Sequence, residues 1–386
     1  MIKPHIIVIG AGFTGCATAY DLALRGFQVS VIERGEIASG TSGRTHGHLH
    51  SGARYCVVDQ EAAKECIQEN RILRKIAFQC IEPNGGLALV LREQDLEYAQ
   101  KFSEGVEICG IPVKKLSAKE ALNLEPNINP NLLLAISVPD GTFDPLRFAL
   151  AFAASAKKYG AKFFCYHQLK EILVDSSHCV TGVRVWDRNN DRNYDLKGDL
   201  VVNATGPWAG QVAAMVGIQV QVTPTPGIMV AYDQRLVHHL VQRLGVPSDG
   251  DSLLPQRRMV VMGTTSFEVE DIDYIPVFKD QISQMQAAAE ILVPSIRQAR
   301  IRGAYMAARP LIGSADKGRS ISRTFVCYNH KVLDGIEGFI TITGGKATTC
   351  RVMAEKTCDT VCQNLGIDAE CQTMNHPLVS YREYYR

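Results

Sequence analysis

The pattern of hydrophobic and polar positions at the start of the chain predicts a strand, a helix and a second strand. Residues 6–9 form a short apolar run, and a glycine-rich turn follows it directly. Apolar residues then recur at helical spacing up to Gly26, a residue suited to ending a helix. Val29 and Val31 alternate with polar neighbours, which predicts a second strand ending at Glu33.

The same order of strand, glycine turn and helix occurs twice more along the chain. An apolar run over residues 200–202 opens into a turn at Gly206, and a run over residues 339–343 ends in two glycines. A helical pattern then covers residues 346–365. A single nucleotide-binding unit followed by an unrelated domain would not repeat this order. The pattern predicts one Rossmann-like domain that is assembled from three separated segments and interleaved with a mainly antiparallel cap.

We therefore expect an α/β fold with an α+β cap. The predicted dinucleotide-binding domain is discontinuous and comprises residues 1–80, 140–217 and 305–386. The predicted substrate-binding cap comprises residues 81–139 and 218–304.

One helix start is marked clearly in the sequence. Asp144 has the side chain of a typical N-cap, and the proline that follows suits the first helical position, where no N–H is needed. This pair predicts a helix that runs to Tyr159 and ends at a glycine.

The first glycine turn has the spacing of a dinucleotide-binding motif. Gly10 permits a tight turn, Gly12 lets a pyrophosphate approach the backbone, and Gly15 allows the helix and the strand to pack closely. The N-terminus of the helix offers N–H groups to the phosphates. Glu33 can accept hydrogen bonds from both ribose hydroxyls, which disfavours NADP. These residues leave NAD and FAD as alternatives.

Composition excludes several classes of protein. The chain has 386 residues and a formal net charge of +1, so it lacks the basic excess of a nucleic-acid binder. Hydrophobic residues make up 46% and charged residues 21%, which is typical of globular rather than disordered chains. No apolar run approaches the ~18 residues that span a bilayer. We expect a soluble, cytoplasmic protein without a transmembrane segment.

The twelve cysteines do not indicate a disulfide framework or a metal centre. None of them forms a C-x-x-C pair, and in a cytosolic chain reduced cysteines usually act as small apolar residues. We therefore expect no metal ion.

A segment with three histidines follows the second strand. His46, His48 and His50 occupy alternate positions beside Arg54, and alternation in an extended segment places all three imidazoles on one side. Polar histidines on a surface loop are the alternative interpretation.

Motifs along nearly the whole chain resemble the FAD-dependent glycerol-3-phosphate dehydrogenases, most closely the catalytic subunit of the anaerobic type, within the D-amino-acid oxidase-like flavoproteins. They are G-A-G-x-x-G, E-R-x-x-I-A-S-G-T-S-G-R, H-x-H-S-G-A-R-Y, E-C-I-x-E-N-x-I-L, V-P-D-G-T-x-D-P, V-N-A-T-G-P-W, G-T-T, A-R-P-L and F-I-T-I-T-G-G-K. The first motif is common among flavoproteins, whereas H-S-G-A-R-Y, E-C-I-x-E-N and I-T-G-G-K are far more specific.

The resemblance implies FAD as the cofactor and an interleaved flavin domain and cap. The cofactor-binding residues expected on this basis are Gly10, Gly12, Phe13, Thr14, Gly15, Glu33, Arg34, Thr41, Ser42, Thr45, His46, Gly47, Leu49, Ala204, Thr205, Gly206, Trp208, Gly344, Gly345, Lys346, Ala347 and Thr348. In the turn at residues 344–346 we expect N–H groups and a helix N-terminus to stabilise negative charge on the reduced flavin, with glycine keeping the backbone close to the ring.

The resemblance also implies the groups that handle substrate. Arg54, Arg309 and Arg323, with Lys346 nearby, are the expected anchors of a phosphate or carboxylate. His50 is the expected base, because an imidazole suits proton transfer near neutral pH. The stretch at residues 226–229 of the predicted cap lacks polar side chains, where the family often has them.

The implied activity is the oxidation of sn-glycerol 3-phosphate to dihydroxyacetone phosphate by hydride transfer to flavin N5. One alternative is oxidation of another small anionic substrate, either a 2-hydroxy acid such as one resembling 2-hydroxyglutarate or an amine. Another is a non-catalytic flavin subunit for electron transfer, because the anaerobic family members continue into a cysteine-rich region beyond the part matched here. The expected partners are a small anionic substrate and an electron-accepting subunit or quinone pathway, with peripheral membrane contact through that partner.

Overall fold

The computed structural model describes residues 3–269, 271–313 and 324–386. The described strands are β1 (His5–Ile9), β2 (Gln28–Ile32), β3 (His48–Leu49), β4 (Ile81–Glu82), β5 (Gly86–Val90), β6 (Lys114–Leu116), β7 (Leu134–Val138), β8 (Gly141–Phe143), β9 (Lys162–Phe164), β10 (His167–Val174), β11 (Val180–Asp187), β12 (Arg192–Lys197), β13 (Leu200–Asn203), β14 (Thr223–Tyr232), β15 (Leu240–Arg243), β16 (Ser252–Gln256), β17 (Met259–Gly263), β18 (Ile301–Leu311), β19 (Phe325–Asn329) and β20 (Phe339–Gly344). The described α-helices are α1 (Phe13–Leu24), α2 (Gln60–Ile76), α3 (Leu96–Ile108), α4 (Ala118–Leu124), α5 (Pro145–Lys158), α6 (Ala209–Ala214), α7 (Lys279–Leu292), α8 (His330–Leu333) and α9 (Cys350–Leu365).

A six-stranded sheet joins three distant parts of the chain. Its order is β19-β20-β13-β1-β2-β9, and all neighbours are parallel except β19 and β20. The register pairs Ile7 with Val201 and Val202 with Ile340. Because the central strands are buried on both faces, they are almost continuously apolar. The three strand-to-turn segments found in the sequence therefore end at one edge of one sheet.

Helices α1, α5 and α9 pack together on one face of this sheet. Phe13 at the start of α1 makes edge-to-face ring contacts with Phe143 and Phe148, with ring centroids 5.8 and 5.4 Å apart. These contacts fix the start of α1, and with it the glycine turn, against the layer behind the sheet. The side chain of Asp144 accepts a hydrogen bond from the backbone N–H of Arg147, which confirms the predicted N-cap of α5.

A second, eight-stranded sheet forms the cap. Its order is β18-β14-β17-β16-β15-β5-β7-β6, and its neighbours are antiparallel except for the parallel pair β5 and β15. Helix α7 packs on it over a separate apolar core. The domain boundary that the sequence places at residue 305 lies inside β18. The domain limits given above stay predictions.

The remaining described strands form two small sheets. β10, β11 and β12 form an antiparallel meander, and β8 lies between β3 and β4. The pairing of His48 with Thr142 and Leu49 with Gly141 attaches the histidine segment to β8. Among the described residues, every helix is too short or too polar to span a lipid bilayer.

The helix expected over residues 346–365 begins later than the sequence indicates. Ala347–Thr349 form a short 3-10 turn, and α9 starts at Cys350. The Thr349 hydroxyl both accepts from the Lys346 N–H and donates to the Lys346 carbonyl, so this tight turn holds the chain out of helical geometry until Cys350.

Candidate active site

A cavity of about 1230 Å³ lies where the carboxyl ends of the parallel strands face the cap. Most of the predicted site residues line it, and they come from the first glycine turn, the loop after β2, the histidine segment, the turns after β13 and β20, and β18. They are Gly10, Gly12, Phe13, Thr14, Glu33, Arg34, Thr41, Ser42, Thr45, His46, His50, Arg54, Ala204, Thr205, Gly206, Trp208, Arg309, Gly344, Gly345, Lys346 and Ala347. The fold therefore brings residues of distant segments to one site.

Four predicted cofactor residues lie behind the cavity wall rather than in it: Gly15, Gly47, Leu49 and Thr348. Gly15 packs against the preceding turn, where a Cβ atom would lie 1.9 Å from the Gly10 carbonyl oxygen. The Thr348 hydroxyl accepts a hydrogen bond from the His50 N–H at 3.0 Å. These two residues shape the wall through the backbone. Arg323, also predicted as a site residue, lies outside the described residues.

The first turn has the geometry of a phosphate cradle. Gly10 has φ +97°, and a Cβ atom there would lie 2.8 Å from the Ala204 carbonyl oxygen, so glycine is required on both counts. Helix α1 begins immediately afterwards, with Gly12 as its N-cap and no side-chain cap from that residue. The hydroxyl of Ser42 accepts a hydrogen bond from the Phe13 N–H at 2.9 Å, which ties the loop after β2 to the helix start. An anion that approaches this turn meets bare backbone and the positive end of a helix.

Glu33 is held rigidly at the end of β2. Its two carboxylate oxygens accept hydrogen bonds from the N–H groups of Ala11 and Gly35, each at 2.8 Å. The carboxylate therefore faces the cavity with a fixed orientation, as the ribose of a dinucleotide requires.

In the cavity wall, the side chain of Arg34 stacks on the ring of Trp208. The Arg34 guanidinium lies 4.3 Å from the centre of the Trp208 ring. One carboxylate oxygen of Asp273 accepts from both, from Arg34 at 2.7 Å and from the Trp208 indole at 3.0 Å. Asp273 lies in a strand-free loop of the cap, and nothing in its local sequence marks it as part of this wall.

The turn after β20 has two N–H groups with partners inside the chain. The N–H of Gly345 donates to the Thr324 carbonyl at 3.0 Å, and the N–H of Lys346 donates to the Thr349 hydroxyl at 3.1 Å. Those two groups are already used within the chain, and the expectation that the turn and the following helix start stabilise charge on a ring stays a prediction. Both glycines have positive φ, and a Cβ atom would meet Ile312 or Met353 within 2.5 Å, so it is packing within the chain that excludes larger residues.

The three imidazoles lie on one side of their segment, as the alternation predicts. The rings of His46 and His48 are 5.8 Å apart, and those of His48 and His50 stack at 3.6 Å. Burial, reinforced by His48, Arg309 and Arg54, lowers the pKa of His46 to about 3. Burial, together with the other two histidines and the cations of Lys346 and Arg54, lowers the pKa of His50 well below its ordinary value. Both imidazoles are therefore neutral at pH 7.

The two ring nitrogens of His50 differ in their surroundings. Its Nε2 lies 3.5 Å from the Tyr55 hydroxyl, and its Nδ1 is buried without a hydrogen-bond partner among the described residues. His46 Nδ1 is in the same situation. Buried polar atoms without hydrogen-bond partners are rare in folded proteins. Here both nitrogens belong to side chains that line the cavity, so we expect a bound ligand to supply their hydrogen-bond partners.

Asn70 explains why the E-C-I-x-E-N motif accompanies the histidine segment. From α2 its side-chain amide donates to the carbonyls of Leu49, His50 and Pro139, at 3.4, 3.1 and 3.3 Å. Asn70 thus clamps the histidine segment to the turn between β7 and β8. The sequence indicates the motif but not this role, because a hydrogen bond to a distant carbonyl leaves no local pattern.

The predicted anion anchors differ in their surroundings. Arg54 donates to the Asp251 carboxylate at 2.7 Å and is mostly buried. Arg309 on β18 donates to the carbonyls of Thr225, Pro226 and Thr265 and to the hydroxyls of Thr264 and Ser266. The guanidinium of Arg309 is therefore fixed in orientation while it faces the cavity.

His48, His50 and Asp140 bring three ligand-type atoms within 4.8 Å of one another. Lone pairs of an imidazole lie in the plane of its ring, so two rings that stack at 26° direct theirs side by side rather than toward one ion. We therefore do not interpret this group as a metal site.

These features fit FAD. The cavity offers a bare turn that could hold a pyrophosphate, a fixed carboxylate that could hold a ribose, and a group of neutral imidazoles and cations. Glu33 and the first turn would hold the adenosine and phosphate groups, and the turn after β20 and the histidines would face the isoalloxazine ring and a substrate.

Comparison with known proteins gives the same result. The chain is 40% identical to the A1 subunit of the anaerobic glycerol-3-phosphate dehydrogenase of Haloferax volcanii, over 99% of this chain and 67% of the relative. It is 40% identical to the corresponding A subunit of the Escherichia coli K12 enzyme, over 98% of this chain and 70% of the relative. A glycerol-3-phosphate dehydrogenase structure from Bacillus halodurans, in complex with FAD, has a TM-score of 0.76 and 25% identity, covering 97% of this chain and 68% of that one.

The fold is also shared more widely. A glycine oxidase structure from Geobacillus kaustophilus has a TM-score of 0.78 at 20% identity, over 98% of this chain and 99% of the other. The sequence profile of the FAD dependent oxidoreductase family, DAO, matches residues 5–351. The chain belongs to this DAO family and is an FAD-dependent oxidoreductase.

Proposed function

We propose that this enzyme oxidises sn-glycerol 3-phosphate to dihydroxyacetone phosphate. The observation that carries the proposal is that Arg54 and Lys346 act on a neutral His50, and Arg309 on the neighbouring neutral His46, in the flavin cavity. A small substrate with a phosphate at one end and a secondary alcohol beside it matches this arrangement. The names of the relatives with 40% identity support the same substrate.

The anion is assigned to the arginines. Arg309 is held in a fixed orientation by carbonyls and hydroxyls on β14 and after β17, so its positive charge has a fixed position in the cavity wall, where it attracts an anion. Arg54 and Lys346 add positive charge to the same cavity, although Asp251 compensates Arg54 in part.

The proton of the alcohol is assigned to His50. Its lowered pKa keeps the imidazole neutral at pH 7, so the side chain can accept a proton at Nδ1, the buried nitrogen without a partner among the described residues. When bound, FAD supplies the acceptor for the hydride that leaves the carbinol carbon. Lys346, whose ammonium lies 4.8 Å from the centre of the Tyr55 ring, holds positive charge beside the same reacting group.

The electrons are proposed to leave through a partner. The relatives with 40% identity are named as the A or A1 subunits of their enzymes, and this chain matches about two-thirds of their length. A partner protein, or a quinone reached through it, is therefore the proposed acceptor, and contact with the inner face of a membrane would come through that partner.

A second candidate is the oxidation of another small anionic 2-hydroxy acid or amine. Gly227 and Met229 of β14 line the cavity without polar side chains, so this wall places no specific demand on the substrate.

A panel titration separates the candidates. The holoenzyme is mixed anaerobically with sn-glycerol 3-phosphate, glycerol, 2-hydroxy acids and amines, and the flavin absorbance is followed. Bleaching by glycerol 3-phosphate at the lowest concentration supports the proposal, and bleaching only by a carboxylate or an amine supports the second candidate. If no small molecule bleaches the flavin but a reduced partner protein does, the chain is an electron-transfer subunit.

A further inference from the structure

We infer that Asp140, acting through His48, positions His50 and balances its charge when the imidazole takes a proton. Both are positioning residues rather than groups that contact substrate. The inference rests on the proposed function, in which His50 is the base.

Asp140 is a buried carboxylate at the centre of a fixed network. It lies in the turn between β7 and β8, and only 1% of the surface of the residue is exposed to solvent. Oδ1 accepts from the Ser51 N–H at 2.6 Å, and Oδ2 accepts from the Gln242 amide at 3.2 Å. Arg74 donates to the Asp140 backbone carbonyl at 2.8 Å, which fixes the turn itself.

His48 connects this carboxylate to His50. Its Nε2 lies 3.1 Å from Asp140 Oδ2, a contact whose angle falls short of a good hydrogen bond. The ring of His48 stacks on that of His50 at 3.6 Å, and β-pairing with Thr142 fixes the backbone of His48. Ser51 follows His50 directly, so Asp140 also holds the histidine segment through its main chain.

Charge explains why a carboxylate is buried here. Burial raises the pKa of Asp140, but His48 and the donors of Ser51 outweigh it and leave the pKa below its ordinary value, so the carboxylate is ionised. The groups that act on His50 are His46 and His48 on its own segment, Tyr55 and Arg54 after it, and Lys346 from the turn after β20. Arg54 and Lys346 both oppose a proton on His50, and Asp140 is the buried anion that offsets them.

The remaining anions in this region are committed elsewhere. Asp251 accepts from Arg54 and Arg243, and Glu65 interacts with Lys346. In the reaction proposed above, an ionised carboxylate behind the histidines has a role only if it orients them or balances their charge. Asp140 also acts on the buried guanidinium of Arg74, so its charge serves that cation as well as the histidine segment.

Histidine NMR on the FAD-loaded protein tests the inference without any substrate. In selectively labelled protein we expect the 15N signals of His48 to show a proton on Nε2 between pH 6 and 9, because that nitrogen faces Asp140. In Asp140→Asn this preference should weaken, and the His50 signals should move. His48→Gln identifies the signals. Asp334→Asn, which alters a similar pair with His330 outside the cavity, should leave both histidines unchanged. The inference would be overturned if His48 carried its proton on Nδ1, or if the Asp140→Asn substitution left the His50 signals unchanged.

Flavin reduction by glycerol 3-phosphate gives the second measurement. In Asp140→Asn and His48→Gln the reduction rate constant should fall about tenfold or more, with the KM changed less than threefold, because proton transfer is affected rather than anion binding (~10²-fold effects are typical of general bases). The loss should be the same from pH 6 to pH 9, because His50 is neutral in both proteins there and only its basicity differs. A loss of FAD, or a rise in KM that accounts for the loss, would indicate a structural role. If wild-type flavin is not reduced at all, the proposed function fails, and NMR alone decides the inference.

Discussion

The guanidinium of Arg54 donates to Asp251 Oδ2 at 2.7 Å, while Arg243 holds the other oxygen of the same carboxylate at 3.1 Å. Asp251 also accepts from the N–H and hydroxyl of Ser248. The positive charge of Arg54 is therefore partly compensated by Asp251 even when no anion is bound. Arg309, fixed by carbonyls and hydroxyls, is the stronger candidate for phosphate recognition.

Replacing Asp251 should destabilise the protein. Asp251→Asn removes the charge that compensates two mostly buried guanidinium groups, and we expect a loss of about 2–4 kcal/mol in the free energy of unfolding. Urea denaturation of the holoenzyme measures it. Arg184→Gln, which breaks exposed ion pairs with Glu171 and Asp195, is the matched control and should cost less than about 1 kcal/mol. Equal losses in the two variants would contradict the network described here.

Replacing Arg309 should weaken anion binding. Arg309→Lys keeps the charge but loses the planar fork, and we expect the KM for glycerol 3-phosphate to rise about 10- to 100-fold. Competitive inhibition by inorganic phosphate should weaken in parallel, and FAD content should be unchanged. Arg54→Lys should have the smaller effect on both constants because of Asp251. The opposite order would show that Arg54 is the main anchor.

The first glycine turn should not tolerate a methyl group. In Gly15→Ala the Cβ atom would lie 1.9 Å from the Gly10 carbonyl, so we expect the purified variant to retain little or no FAD. Gly217 provides a more demanding control, because unlike Gly15 it has positive φ, but no heavy atom of the described residues lies within 4 Å of an added methyl group. Gly217→Ala should cost only about 1–2 kcal/mol and keep its flavin. Flavin absorbance relative to protein absorbance measures both.

The neutral histidines should make the fold sensitive to acid. The unfolded chain protonates its histidines near pH 6.5, whereas the folded state keeps His46 neutral down to a pKa of about 3 and lowers the pKa of His50 as well. Below pH 6.5 the unfolded state therefore binds more protons, and stability falls as the pH falls. We expect a loss on the order of 2 kcal/mol between pH 6.5 and pH 5.

Denaturation of the holoenzyme at several pH values tests this dependence. His46→Gln should flatten it, because one of the two titrating groups is gone. Stability that stays constant from pH 6.5 to pH 5 in the wild type would show that these imidazoles take up protons in the folded state as they do in the unfolded chain.

Local patterns were sufficient to predict the elements around the cofactor. Asp144 and the following proline mark the start of α5, and the spacing of Gly10, Gly12 and Gly15 matches the turn that the structure contains. Alternation placed the histidines on one face, because a side-chain direction in an extended segment depends only on position.

Contacts between distant segments could not be predicted in this way. The pairing of Arg54 with Asp251, the clamp by Asn70 and the place of Asp140 behind His48 join residues far apart in the chain, and no local periodicity encodes them. The helix start at Lys346 was mispredicted for a related reason. The hydroxyl of Thr349 accepts from the Lys346 N–H, and the helix starts only at Cys350.

The most direct test of the account is an anaerobic titration of the FAD-loaded protein with sn-glycerol 3-phosphate. The account predicts complete bleaching of the flavin by the substrate, with one dihydroxyacetone phosphate formed for each flavin reduced, and strong impairment in Arg309→Lys and His50→Gln. A flavin that dithionite reduces but glycerol 3-phosphate does not would contradict it.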